Sequence, residues 1–208
     1  MDVFSAFSDL MTRGGPVLWV IFVVAGIAII MLIERTIQIQ RWRKVASSDQ
    51  QLVHEESMST LMDIQGKTNT RYESPVRTIL RQIRWQEAEK SDDLTKQVNT
   101  LLSELTPKLK GVLPTVAVIG TLLPMLGLLG TVTGMINVFE VIALHGTGNP
   151  QEMANGISQA LLTTASGLVI AIPVIFFHHI LSQRLQALLA TTEQSLLVVM
   201  NKADVNRG

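Results

Sequence analysis

Residues 112–139 read VLPTVAVIGTLLPMLGLLGTVTGMINVF, with no Asp, Glu, Lys or Arg among them. A helix needs about 20 apolar residues to cross a bilayer, so a charge-free run of this length reads as a membrane span. Two further runs share the character: PVLWVIFVVAGIAIIMLI at residues 16–33, and the stretch between Glu152 and Arg184. They predict an all-α membrane protein with transmembrane helices at 16–36, 112–140 and 156–182. Between and around them this reading expects an N-terminal segment (1–15), a helical loop (37–111), a second loop (141–155) on the same side as the N-terminus, and a helical tail (183–208) on the side of the first loop.

The first run opens on Pro16, which the first turn of a helix tolerates because the N–H there has no intrahelical partner. It ends in Glu34-Arg35 and not in a small-residue cleavage site, so an anchor is expected and not a removed signal peptide. Of the 17 Lys and Arg residues, all but Arg13 fall in the long loop, the tail or their borders, and none lies from Glu140 to Gly156. Basic residues gather on the cytoplasmic side, which puts the N-terminus outside and the C-terminus inside.

Composition removes several function classes. Of the 208 residues 47% are hydrophobic, and 17 basic residues balance 17 acidic ones, so there is no cationic surplus for nucleic acid. There is no cysteine, hence no disulfide framework, thiolate metal site or thiol nucleophile. His54, His145, His178 and His179 have no second ligand at metal spacing, and neither a metal nor a cofactor is expected. Gly66-Lys67-Thr68 lacks the upstream glycine and strand of a phosphate loop and reads as part of a polar turn to Asn69. An intramembrane protease would need an Asp-Asp or Ser-His pair within the spans, and none is present.

The loop carries 12 Lys/Arg and 10 Asp/Glu between residues 40 and 111, together with apolar residues at helical spacing. Val76, Ile79, Leu80 and Ile83 follow the start signal Ser74-Pro75; Leu94, Val98, Leu101, Leu102 and Leu105 follow Ser91-Asp92. These stripes predict helices that bundle beneath the membrane.

Spans two and three each carry a seam of small residues. Gly120, Pro124, Gly127, Thr131 and Gly134 step by four, three, four and three; Gly156, Ala160, Thr164, Gly167 and Ala171 step by four, four, three and four. Such seams let helix backbones approach closely, or they line a space filled by water or by another helix; the two readings are compatible. The spans run antiparallel, and at about 1.5 Å per residue Thr131 and Thr164 fall at a similar depth, roughly 7 Å outward of the middle. A threonine hydroxyl donates and accepts, so it serves a carboxylic acid, a carboxylate, a water or a cation. An intramembrane ion path ordinarily contains a titratable group, yet both spans lack one. If this chain conducts ions, a partner helix must supply the carboxylate.

GLLGTVTGM (127–135) followed by GISQALLTTASGLVIAIP (156–173) resembles the paired signature of the ExbB/TolQ/MotA proton-channel family, and three spans favour its ExbB/TolQ branch. The resemblance implies a bacterial inner-membrane homo-pentamer around single-span partner helices of the ExbD/TolR type. Each partner bears one aspartate that meets the pore threonines matching Thr131 and Thr164. It implies seams that line the pore and a channel whose ion flow does work through a TonB-like or TolA-like transducer. The sequence departs from the pattern at Gln159, where the family commonly has glutamate. Gln159 cannot carry a proton, and with Thr163 it offers neutral oxygens that suit Na⁺ as well as a proton wire.

Other residues have simpler readings beside functional ones. Glu140 is an interfacial helix end or a cation-gathering entrance; His178 is an interfacial residue or part of an exit. Glu34-Arg35 reads as an anchor reaching toward lipid headgroups. Trp19 and Trp42 read as belt residues, and Trp85 as a bundle residue. Pro124 and Pro173 each free a backbone carbonyl within a span. A purely structural membrane scaffold is the competing class; it predicts that replacing either threonine by Ser or Ala has the same effect.

Overall fold

A computed structural model describes residues 3–55, 75–83, 91–146 and 150–205. The turn at Gly66–Asn69, His54's side chain and Trp85 lie outside what is described. Among the described residues five helices follow one another: α1 (Val3–Glu55), α2 (Pro75–Gln82), α3 (Ser91–Lys110), α4 (Leu113–His145) and α5 (Pro150–Val205). There is no strand among the described residues. Three of these helices contain stretches long and apolar enough to cross a membrane: Gly14–Ala46, Leu113–Leu144 and Pro150–Lys202.

The chain divides into two compact units. One joins Met1–Ile33 to Val112–His179; the other joins Glu34–Gly111 to Ile180–Gly208. In the first, α1 is broken at Gly15, whose φ of 65° and ψ of −169° are not helical, and the helix restarts on Pro16. From there Leu18, Ile21, Ala25, Ala28 and Leu32 are buried at steps of three and four, so one stripe of the span faces protein. The other side is apolar and exposed, as at Trp19, Ile30 and Ile33, and so are Met125, Leu128 and Phe139 on α4 and Val169, Ile172 and Phe176 on α5. Exposure of this extent would drive aggregation in water; in a bilayer it is the surface that hydrocarbon or further helices cover.

The second unit has a core of its own. Val76, Ile79, Leu80 and Ile83 from α2 and its end pack with Leu94 and Val98 of α3 and with Leu196 and Val199 of α5. The apolar stripes of the loop thus find a partner in the late part of α5, a continuous helix that runs far past its span.

Arg35 departs from the expected headgroup anchor. Only 4% of it is exposed. Its guanidinium lies over the Trp42 ring at 4.9 Å, and Nη1 donates to Gln38 Oε1 at 2.5 Å. The group also abuts Gly111, which has a φ of 47° and ends α3 by donating its N–H to Pro107 O at 3.0 Å. A guanidinium is weakly hydrated, stacks on aromatic faces and is favoured near a helix C-terminus, which is why it can turn inward where Lys could not. Glu34 keeps the exposed role and accepts from Gln38 Nε2 at 2.9 Å.

Candidate functional site

The two seams face each other. A Cβ at Gly127 would stand 3.1 Å from Thr163 O and Thr164 Cα; one at Gly167 would stand 2.7 Å from Leu123 O and 3.1 Å from Gly127 Cα. Gly134 lies against Ala160 and the Gly156 carbonyl, Gly156 against Val138, and Gly120 against Val174 and Ile175. Ala160 and Ala171 are buried, and Pro124 is partly buried within a continuous helix. In this chain the small residues therefore bring the α4 and α5 backbones together, the close approach that only small side chains permit in a membrane.

That approach positions the threonines. Thr164 Oγ1 donates across the helix pair to Gly127 O at 2.9 Å. Thr131 Oγ1 donates to Leu128 O at 2.6 Å, within its own helix. Both hydroxyls therefore rest on adjacent carbonyls of α4 and share one level along it. Thr131 and Thr164 are each partly buried. Each hydroxyl oxygen keeps lone pairs with which to accept from an acid or to ligate a cation.

Thr163 is placed differently. It is fully buried, lies under Gly130, and donates its hydroxyl to Ala160 O at 2.8 Å. Here it fills the helix contact, with no exposed oxygen toward a path.

Gln159 is partly buried, and its carboxamide lies against Gly15 at the break of α1. Gly15 is constrained twice, by a conformation essentially confined to glycine and by the space its Cβ would take from Gln159. Gly15→Ala is expected to lower stability by about 1–3 kcal/mol, the typical cost of such backbone strain, read as a lower midpoint of thermal unfolding in detergent. An unchanged midpoint would show that the break relaxes freely.

The other two candidates stand apart from the threonines. Glu140 is exposed on α4. His178 is partly buried and hydrogen-bonds the backbone of Leu113 at the opposite end of that helix.

A feature that the motif reading passed over lies near Gln159. Thr12, Asn137, Gln151, Glu152, Asn155 and Gln159 are among the residues lining a cavity of about 650 Å³. The signal was in the sequence: Glu152, Asn155 and Gln159 step by three and four on one face of α5, with Gly156 beside them.

Residues 67–194 match a family model described as the MotA/TolQ/ExbB proton channel family. The chain is 40% identical over 94 residues to the biopolymer transport protein ExbB of Salmonella typhimurium, covering 43% of this chain and 38% of that protein. It is 42% identical over 79 residues to the biopolymer transport protein exbB1 of Vibrio cholerae, covering 38% and 35%. It is 33% identical over 98 residues to the Tol-Pal system protein TolQ of Pseudomonas aeruginosa, covering 47% and 42%. The alignments span less than half the length of these curated relatives, whose names agree with the three-span branch that the motif resembles. The matched range takes in more than half of the chain and both threonine-bearing seams, and the chain belongs to the MotA/TolQ/ExbB proton channel family.

Proposed function

We propose that this chain is the ion-conducting stator subunit of a bacterial inner-membrane motor. It works with an ExbD/TolR-type single-span partner and powers TonB-dependent import across the outer membrane. The observation that carries this reading is the pair of hydroxyls on the adjacent carbonyls of Gly127 and Leu128, inside helices with no ionisable side chain of the Asp, Glu, Lys or Arg type between Lys110 and Glu140 or between Glu152 and Arg184. A partner aspartate brought to that level completes a path that this chain alone does not supply. Five copies around the partner helices, with the N-terminus periplasmic and the C-terminus cytoplasmic, are the assembly proposed.

The family is one of proton channels, not an enzyme class. A relative named as a Tol-Pal protein supports a second task for the same motor, work on that envelope system. Gln159 in place of a carboxylate suits Na⁺ as well as a proton wire, so a Na⁺-driven variant is the alternative to a proton-driven one.

The test is co-expression with a single-span protein bearing an intramembrane aspartate, then native mass spectrometry and ion flux in proteoliposomes. A pentamer that retains the partner and passes H⁺ or Na⁺, with flux lost when the partner's aspartate becomes Asn, is the expected result. A monomer that neither retains the partner nor passes either ion would overturn the reading.

A further inference from the structure

We propose that Arg35 is a binding residue for the phosphate of an anionic lipid, and that Trp42 and Gly111 form a latch that holds it when no such lipid is bound. The inference is independent of the stator reading above.

The first observation is an incomplete set of hydrogen bonds. Arg35 is buried and its Nη1 donates to Gln38 Oε1, yet Nε and Nη2 are buried with no acceptor among the described residues. Gln38 is held in turn by Glu34, which accepts from its Nε2 at 2.9 Å, so that carboxylate is tied to the same carboxamide. Nε and Nη2 lie on one edge of the guanidinium, the edge whose parallel donors match two oxygens of a phosphate. A buried donor without an acceptor costs the hydration it gave up, and a charged one costs most. The stack on the Trp42 ring at 4.9 Å offsets part of that cost. The buried position is thus poised against release, and a ligand that pairs with the open edge shifts the balance.

The second observation is place. The apolar run of α1 ends at Ile33, so Arg35 lies two residues, about 3 Å, past it along the helix. That falls within the headgroup layer, which is about 5–7 Å deep on each side of the hydrocarbon. Gly111, against the guanidinium, follows the last turn of α3, where Lys108 and Lys110 are exposed; Arg41 and Lys44 are exposed farther along α1. Basic residues clustered at the end of a span attract anionic headgroups, and Arg35 adds the two-pronged contact that a lysine lacks.

The third observation is the latch. A Cβ at Gly111 would stand 3.2 Å from Arg35 Cζ and Nη1, so a glycine there leaves the guanidinium room. Trp42, itself partly buried, covers one face of the group. Neither residue supplies an acceptor to Nε or Nη2, so together they hold the cation without satisfying it.

The experiment uses the full chain in detergent with Trp19→Phe and Trp85→Phe, which leaves Trp42 as the remaining tryptophan. Phosphatidylglycerol, phosphatidylcholine or inorganic phosphate is added in separate arms. Trp42 emission and the lipid retained in native mass spectra are the readouts. Phosphatidylglycerol is expected to change the emission saturably as the guanidinium leaves the ring, and the other two are expected to leave it unchanged. Arg35→Gln is expected to lower phosphatidylglycerol retention about fivefold, the usual effect of one basic residue at an anionic membrane surface, and to abolish the emission change. Trp42→Leu removes the competing stack and keeps the charge, so it is expected to retain phosphatidylglycerol more tightly than the wild type; weaker retention would overturn the latch. Equal responses to the two lipids, or undiminished retention by Arg35→Gln, would overturn the binding site. So would a response to inorganic phosphate at the same concentrations, which would assign the edge to a free anion, or one that follows protein concentration alone, which would assign it to a second copy.

Discussion

Thr164→Val is expected to cut ion flux by about 10- to 100-fold while leaving the protein folded and bound to its partner. Valine has nearly the shape of threonine, so the contact with α4 is filled as before. What disappears is the hydroxyl that bridges to Gly127 O at 2.9 Å. For stability this is one neutral hydrogen bond, about 1 kcal/mol. For conduction the loss is larger, because a hydrogen bond to a charged group contributes about 1.5–3 kcal/mol and a buried ion has no water to replace it. Those energies convert to the stated range at about 1.4 kcal/mol per factor of ten. Thr164→Ser should keep flux within a few-fold of wild type, since it retains the oxygen. Proteoliposome flux and thermal unfolding, measured on the same preparations, separate the two effects. Equal flux for the Ser and Val variants would mean that the hydroxyl only helps the helices pack, the scaffold reading.

How much of this was legible from residues alone differs by feature. The spans were, because a charge-free run such as 112–139 admits few alternatives. So were α2 and α3, since Val76, Ile79, Leu80 and Ile83, then Leu94 and Val98, mark buried stripes by their spacing. Their third partner was not: Leu196 and Val199 are distant in sequence, and periodicity tells which residues share a face but not what that face touches.

The same limit governs the candidate site. Spacing marks each seam as one helix face but not what that face touches, and within one chain the two faces meet, as Gly127 and Gly167 do. Thr163 and Thr164 are adjacent and chemically identical, and their separation into a packed hydroxyl and a bridging one depends on a helix rotation of about 100° per residue. Arg35 was misplaced because its exposure follows from Trp42 and the glycine-ended α3, neither of which is visible in the local pattern of span one. Glu152 went unnoticed for a different reason. It lies just outside the charge-free run, and local spacing does not reveal that it lines the same groove as Asn137 of α4 and Thr12 of α1.

The approach of α4 to α5 is itself testable by a pair of substitutions with opposite expected signs. A Cβ at Gly167 would stand 2.7 Å from Leu123 O, a backbone atom that cannot rotate aside, so Gly167→Ala must push the helices apart or tilt them. Overpacking of this kind typically costs about 1–3 kcal/mol, and a bulkier Gly167→Leu should prevent assembly of the folded protein. At Gly26, in the middle of α1, a Cβ would meet nothing within 4 Å. Gly26→Ala therefore gains helix propensity without a clash and should be neutral or stabilising by up to about 1 kcal/mol. Thermal unfolding in detergent reads both. Displacing α5 also removes Thr164 from Gly127 O, so Gly167→Ala should lower flux as well as stability, whereas Thr164→Val lowers flux almost alone. Should Gly167→Ala prove as stable as Gly26→Ala, the two helices are not held at the close spacing on which the threonine level depends.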